Sequence, residues 1–236
     1  MKKTAIITGG TKGIGLGIAN SLLENGYNVV ITSRSEESAK RIASTLAEKH
    51  GNSVHGIGCD VRNYDSQEDC VNRTIAKYGS VDIMIANAGV GHFASIEDLS
   101  IEKWNATIDT NLTGVFYSTK ASIEALKKSE GYLITIASLA GTNFFQKGSA
   151  YNASKFGLVG FTQSVMLDLR QYGIKVTTIM PGSVSTYFNG HTPSEEDSWK
   201  IQPEDLGQIV VDLLKMNSRT LPSKIEVRPS IPGGKK

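Results

Sequence analysis

A tyrosine and a lysine four residues apart form the pair in this sequence that is best suited to move a proton. Tyr151 and Lys155 open an apolar run with helical spacing, so both side chains should leave one face of one helix. A phenol has an ordinary pKa of about 10, and a nearby ammonium group lowers it by favouring the phenolate. The pair could therefore protonate a carbonyl during reduction or deprotonate an alcohol during oxidation. Alone, such a pair is most often two surface residues, so the rest of the chain decides.

The composition excludes several classes of protein. The chain has 236 residues, of which 39% are hydrophobic and 20% charged, with a net charge of +2, and this is typical of a globular protein. Its basic residues are dispersed, so we predict neither a nucleic-acid partner nor a membrane surface. Cys59 and Cys70 stand eleven residues apart without metal-type spacing. We therefore expect a reducing, cytoplasmic setting and no disulfide.

No metal site is expected, because the histidines fall on different segments without ligand spacing; they are His50, His55, His92 and His191. No stretch approaches the length of a transmembrane helix, and the apolar run near the first residue is too short for a signal peptide.

A glycine turn near the beginning of the chain is suited to bind a diphosphate. Residues 4–8 read as a buried strand, residues 9–15 have the pattern G-x-x-x-G-x-G, and a helix follows. Backbone N–H groups and the helix dipole point to the same place in such an arrangement. The spacing differs from the commoner dinucleotide pattern G-x-G-x-x-G, and alone it also fits a plain tight turn.

The end of the second predicted strand, residues 27–32, indicates which dinucleotide would bind. Dinucleotide folds commonly place an acid there for a ribose 2′-hydroxyl, or a base for a 2′-phosphate. Arg34 follows this strand, no acid occurs before Glu36, and Lys12 lies in the glycine turn. We therefore predict a preference for NADP(H), with NAD(H) also possible.

The remaining elements alternate between strand and helix. Strands are predicted over residues 53–59, 81–86, 131–137, 174–180 and 224–228, and helices over residues 36–50, 66–78, 100–128, 151–173 and 203–216. Asn111 and Gly114 are a mild weakness in the longest of these helices. The alternation predicts an α/β fold with one doubly wound parallel sheet, helices on both faces, and a single domain over residues 1–236 with a flexible tail over residues 229–236.

Together the motifs resemble those of the short-chain dehydrogenase/reductase family, from residue 2 to about residue 228. The resemblance rests on the glycine turn, on Asn87-Ala88-Gly89 after the fourth strand, on Ser138 after the fifth, on the Tyr151–Lys155 pair and on Pro181-Gly182. It implies a Rossmann-type domain that binds a nicotinamide cofactor. It also implies hydride transfer between that cofactor and an alcohol or carbonyl group.

The resemblance further implies a role for each matching residue. Tyr151 would be the acid/base, and Lys155 would lower its pKa and bind the nicotinamide ribose. Ser138 would orient the substrate oxygen, and Asn111 would hold a water of a proton relay behind the lysine. Asp60 and Val61 would meet the adenine, and Thr186 the carboxamide. The implied cofactor contacts are Gly9, Thr11, Lys12, Gly13, Ile14, Gly15, Ser33, Arg34, Asp60, Val61, Asn87, Ala88, Gly89, Tyr151, Lys155, Pro181, Gly182, Val184 and Thr186.

The segment that covers the substrate in this family, residues 183–202, is short and polar here. A short, charged lid cannot enclose a large apolar substrate, so we expect an open pocket that tolerates small and medium carbonyl compounds. We expect it to be lined by His92, Phe144, Phe145, Tyr187 and Phe188, although Phe144 could equally pack in the core beneath the lid.

Three functions are compatible with these residues. The first is a broad-range NADP-dependent carbonyl reductase or alcohol dehydrogenase, a homodimer or homotetramer by analogy with the family. The second is a 3-oxoacyl-[acyl-carrier-protein] reductase, which needs a basic landing site; Lys127, Lys128 and Arg170 are too few to make one. The third is a non-catalytic dinucleotide-sensing regulator, which the presence of all the catalytic residues disfavours.

Overall fold

A computed structural model describes residues 2–231, whose strands form one seven-stranded parallel sheet in the order β3-β2-β1-β4-β5-β6-β7. The predicted doubly wound α/β fold is thereby confirmed. The strand order reverses between β1 and β4, and open α/β sheets bind ligands at the carboxyl ends of such strands. The strands are β1 (Thr4–Ile7), β2 (Asn28–Ser33), β3 (Val54–Gly58), β4 (Ile83–Ala86), β5 (Tyr132–Ile136), β6 (Lys175–Pro181) and β7 (Lys224–Val227).

Helices cover both faces of the sheet because successive residues of a buried strand point to opposite sides. Ile7 of β1 packs in a core with Ile18 and Leu206. Its neighbour Ile6 packs in the opposite core with Leu126 and others. The helices are α1 (Gly13–Glu24), α2 (Glu36–His50), α3 (Tyr64–Tyr78), α4 (Ile101–Ile108), α5 (Gly114–Ser129), α6 (Ser149–Leu169) and α7 (Pro203–Lys215).

The predicted helix over residues 100–128 is present, but it is not an α-helix throughout. Helix α4 ends at Ile108, a π-helical turn spans Asp109–Thr113, and α5 begins at Gly114. The cause lies at Asn111, which is completely buried and whose amide bonds the backbone of Val90. These bonds stabilise the wider turn, and the spacing of apolar residues does not reveal them.

Two further observations bear on the sequence predictions. Among residues 2–231, no helix is long and apolar enough to cross a membrane, and no cluster of three or more ligating side chains could hold a metal ion. Most of the predicted flexible tail, residues 232–236, lies outside the described residues.

Candidate active site

The carboxyl ends of β1, β2, β4, β5 and β6 open into one cavity of about 1070 Å³. It extends from Arg34, after β2, to Tyr151 on α6 and to the lid beyond β6. Its wall contains all the site residues predicted from the sequence except Gly15, Asn111, Phe144 and Phe145. The topology therefore brings segments that are far apart in the chain to one edge of the sheet.

Two hydroxyls and a lysine come together where β5 ends. Ser138 follows β5, Tyr151 and Lys155 lie one turn apart on α6, and all three line the cavity wall. The Lys155 ammonium donates to the carbonyl of Ile136 at 2.9 Å and is only 4% exposed. The end of β5 thus fixes both the hydroxyl pair and the lysine.

Burial acts on the pKa of both groups. It raises the pKa of Tyr151, and the Ser138 hydroxyl opposes this only in part. Burial also lowers the pKa of Lys155 to about 8. Desolvation is the largest effect on Tyr151, and the predicted lowering of its pKa by Lys155 stays a prediction. These groups favour the neutral phenol, which is the form that can donate a proton.

Asn111 lies behind the cavity wall and connects two elements of the site. Its Oδ1 accepts from the Val90 N–H at 2.8 Å, and its Nδ2 donates to the Val90 carbonyl at 2.9 Å and to the Ser154 hydroxyl at 3.0 Å. Ser154 in turn donates to the Tyr151 carbonyl at 2.8 Å. Asn111 therefore ties the loop after β4 to helix α6, and its predicted role in holding a water stays a prediction.

The glycine turn forms a cradle at the beginning of α1. Lys12 precedes the helix without any side-chain cap, so the N–H groups of the first turn are available to a ligand. Gly13 has a φ of +54°, and a Cβ there would lie 3.3 Å from Thr186. A Cβ on Gly15 would lie 2.6 Å from the Gly9 carbonyl, so Gly15 packs the turn instead of lining the wall. This cradle fits the diphosphate of a dinucleotide.

Cations surround the cavity beyond β2. Lys12 and Arg34 are joined in the wall by Arg41 and Arg62, which the sequence argument missed. Arg62 binds both carboxylate oxygens of Asp60, with Nη2 to Oδ2 at 2.6 Å and Nε to Oδ1 at 3.0 Å, and this holds the pKa of Asp60 below its ordinary value. Arg41 could have been found from its helical spacing with Ser38 and Ile42, which share the wall.

Glu36, the first acidic residue after β2, is paired with cations outside the cavity wall. The carboxylate of Glu36 bonds Arg73 at 3.1 Å and Lys40 at 2.9 Å, and these partners lower its pKa to about 2. Glu36 is not in the cavity wall. Its partners hold it in the contact between α2 and α3, so it does not offset the cations near Arg34.

The lid of residues 183–202 is organised by its own charges. The buried carboxylate of Asp197 accepts from the Ser185 hydroxyl at 3.2 Å and pairs with His191 and Lys200. These partners hold the pKa of Asp197 well below its ordinary value. The polar lid is therefore a folded unit whose charges largely satisfy one another.

Not all of the predicted substrate-pocket residues reach the pocket. His92, Tyr187 and Phe188 line the cavity wall. Phe144 is 86% exposed, so it neither lines the wall nor packs in the core, and both sequence expectations for it are wrong. Phe145 lies behind the wall against Phe93, a residue that the sequence argument missed.

Comparisons with known proteins agree with this geometry. A family model described as short chain dehydrogenase matches residues 3–197. An oxidoreductase of Staphylococcus saprophyticus is 32% identical over 232 residues, which cover 96% of this chain and 97% of the relative. Two solved structures, each with a nicotinamide dinucleotide or its derivative, share the fold. An alcohol dehydrogenase of the archaeon Thermococcus sibiricus, complexed with 5-hydroxy-NADP, matches with a TM-score of 0.92 and 27% identity over 100% of both chains.

A 3-ketoacyl-(acyl-carrier-protein) reductase from Brucella melitensis, complexed with NADH, matches with a TM-score of 0.88 and 25% identity over 97% of each chain. The cradle at α1, the hydroxyl pair at the end of β5 and the nearly full-length family match lead to one conclusion. The chain belongs to the short-chain dehydrogenase family and is one of its oxidoreductases.

Proposed function

We propose that this protein is an NADP-dependent oxidoreductase that transfers a hydride between the nicotinamide and a carbonyl or alcohol substrate. It would act as a broad-range carbonyl reductase or alcohol dehydrogenase. One observation carries the proposal: Ser138, Tyr151 and Lys155 converge in the wall of the same cavity that contains the glycine cradle. Proton transfer and dinucleotide binding thus share one space.

The residues of the chain supply the proton chemistry. When it is bound, a reduced nicotinamide supplies the hydride. The hydroxyls of Ser138 and Tyr151 would bind the substrate oxygen, and Tyr151 would donate its proton to that oxygen during reduction. The Lys155 ammonium would stabilise the phenolate that remains after this donation, and in oxidation that phenolate would accept the proton of the alcohol. Fixing these groups between β5 and α6 orients them for the reaction.

The charges beyond β2 support the preference for NADP. Lys12, Arg34 and Arg41 line the cavity there, and Glu36, the acid that could bind a ribose 2′-hydroxyl, is held by Arg73 and Lys40. A 2′-phosphate would gain charge-assisted hydrogen bonds from the arginines.

The broad substrate range is supported by the lid. The Asp197 carboxylate pairs with both His191 and Lys200, so none of these three side chains is a dedicated partner for one substrate. A reaction on 3-oxoacyl thioesters is the alternative, and the likeness to the Brucella melitensis reductase favours it. The regulator hypothesis has no comparable support, because Ser138, Tyr151 and Lys155 are all in place.

We also propose that the chain forms a homodimer or homotetramer through α5 and α6. Phe116, Phe156 and Leu167 on these helices are 45%, 43% and 54% exposed and leave apolar surface that a partner subunit could cover. Sedimentation equilibrium of the wild type and of Leu167→Glu tests this, and a monomeric wild type would contradict it.

The free thiols of Cys59 and Cys70 support the predicted cytoplasmic setting.

The function can be tested by following the absorbance of the reduced nicotinamide. We expect the wild type to oxidise NADPH faster than NADH with several unrelated aldehydes and ketones, and Tyr151→Phe to abolish this. Turnover of a 3-oxoacyl thioester alone would favour the acyl-carrier reaction instead. Tight cofactor binding without turnover of any carbonyl would contradict the proposal.

A further inference from the structure

An aromatic cluster surrounds the ring of the proton donor. We define it as Phe93, Phe145, Tyr151 and Phe188. The ring centre of Phe93 lies 5.4 Å from that of Tyr151 in an edge-on arrangement, and the ring centre of Phe188 lies 5.6 Å from it. Phe93 and Phe188 are 6.3 Å apart, and Phe145 extends the cluster at 5.7 Å from Phe93. Three separate segments of the chain thus place their rings around one phenol.

Gly91 allows two of these rings to lie directly against the backbone of the cavity wall. A Cβ on Gly91 would lie 2.5 Å from Cζ of Phe188 and 3.0 Å from Cζ of Phe93. Gly91 itself lines the cavity, as do Tyr151 and Phe188. Phe188 therefore lies in the cavity wall beside Tyr151, and Phe93 packs directly against both rings just behind that wall.

Both rings keep a large accessible surface despite this packing. Phe93 remains 37% exposed and Phe188 38% exposed. The nearby charges of the lid are engaged with each other, because the Asp197 carboxylate pairs with His191 and Lys200. The cluster therefore offers ring edges and faces to a ligand, and among the described residues no carboxylate of the lid lines the cavity wall.

We propose that the aromatic cluster binds an uncharged aryl group next to the reacting carbonyl, so that Phe93 and Phe188 determine specificity for aryl-bearing ketones and aldehydes. This inference rests on the proposed function of the same site. A benzene ring and a cyclohexane ring have similar size, but only the benzene ring gains the edge-to-face attraction of aromatic pairs. The attraction of one such aromatic pair corresponds to roughly a three- to ten-fold preference for the substrate with the benzene ring over the one with the cyclohexane ring.

The matched substrates phenylacetone and cyclohexylacetone test the proposal. In both, one methylene separates the ring from the carbonyl, so the carbonyl carbons have similar reactivity. We expect the wild type to show a roughly three- to ten-fold higher kcat/KM for phenylacetone with NADPH. Phe93→Leu and Phe188→Leu should each move this ratio towards one. Phe144→Leu is the control, because Phe144 is 86% exposed and lies outside the cavity wall.

A binding measurement separates the aryl site from catalysis. With NADP⁺ present neither ketone can be reduced, so ligand-observed NMR gives their dissociation constants directly. We expect tighter binding of phenylacetone by a similar factor, lost in the two cluster variants and kept in Phe144→Leu. Equal binding and turnover of the two ketones would overturn the proposal and leave the proposed function intact, as would a ratio that both cluster variants preserve.

The aryl site can also be supported while the proposed function is contradicted. Preferential binding of phenylacetone that depends on Phe93 and Phe188, without reduction of either ketone, would support the aryl site and contradict the proposed function. If the folded protein neither binds nor reduces phenylacetone, the aryl site is overturned as well.

Discussion

The two ends of the cavity offer different kinds of interaction to a ligand. Beyond β2, exposed cations such as Arg34 and Arg41 surround a backbone cradle, and the interactions available there are electrostatic. At the other end, rings cluster around Tyr151, and the Lys155 ammonium is buried against a backbone carbonyl. The first end suits a phosphorylated cofactor and the second an apolar substrate with one reacting oxygen. A mutation at one end should therefore impair binding there without impairing binding at the other end.

The largest effect is expected from Tyr151→Phe, which removes the proton donor and keeps the ring in its cluster. We expect kcat to fall by about 100- to 10,000-fold, the usual contribution of a general acid. The dissociation constant of NADPH, measured from its fluorescence, should stay within about two-fold because the cradle at α1 is untouched. A variant with near-normal kcat would show that another group donates the proton.

The buried lysine should make stability depend on pH. Burial lowers the pKa of Lys155 to about 8 in the folded protein, whereas an unfolded chain has a lysine pKa of about 10.4. Between these values the unfolded chain binds the proton that the folded protein has released, so the free energy of unfolding rises with pH. The total gain is about 3 kcal/mol.

Urea denaturation of the wild type and Lys155→Met between pH 7.5 and 10 checks this prediction. The unfolding free energy of the wild type minus that of the variant should increase as the pH rises, mainly above pH 8. An unchanging difference would mean that Lys155 keeps an ordinary pKa.

Arg34→Ser should weaken the cofactor end alone. Loss of a charge-assisted hydrogen bond costs about 1.5 kcal/mol, so the KM for NADPH should rise roughly ten-fold, and the KM for NADH should change little. Arg219→Ser is the matched control, because Arg219 is also exposed and lies outside the cavity wall. Equal weakening of both cofactors would show that Arg34 does not bind a 2′-phosphate.

Gly91→Ala should weaken the substrate end alone, and by the smallest amount. The added methyl group displaces the ring tips of Phe93 and Phe188, and a cost of about 1 kcal/mol would raise the KM for a ketone roughly five-fold. Gly160→Ala on α6 is the control, because a Cβ there would touch nothing within 4 Å. A parallel rise in the KM for NADPH would contradict the separation of the two ends.

The two ends also differ in how well the sequence predicts them. The glycine turn, Arg34 and the Tyr151–Lys155 pair belong to local patterns, because strand, turn and helix signals lie within a few residues of each. Arg41 lies on helix α2, and helical spacing is also a local pattern, so Arg41 could have been predicted as a residue of the cofactor end.

The substrate end depends on contacts between distant segments. Phe93, Phe145 and Phe188 meet only because the loops after β4, β5 and β6 converge, so no local pattern indicates their cluster. Phe144 and Phe145 are neighbours in the sequence, yet only Phe145 joins it. The π-helical turn at Asn111 was missed for the same reason, since it is stabilised by bonds to Val90 and Ser154.

The most direct test of the account is the transfer of the hydride itself. The protein is incubated with phenylacetone and NADPH that carries deuterium at one or the other C4 position, and the product alcohol is analysed by mass spectrometry. We predict one deuterium at the carbinol carbon from only one of the two labelled cofactors, because the site is chiral. An alcohol without deuterium from either cofactor, or no alcohol at all from this and other carbonyls, would contradict the proposed function.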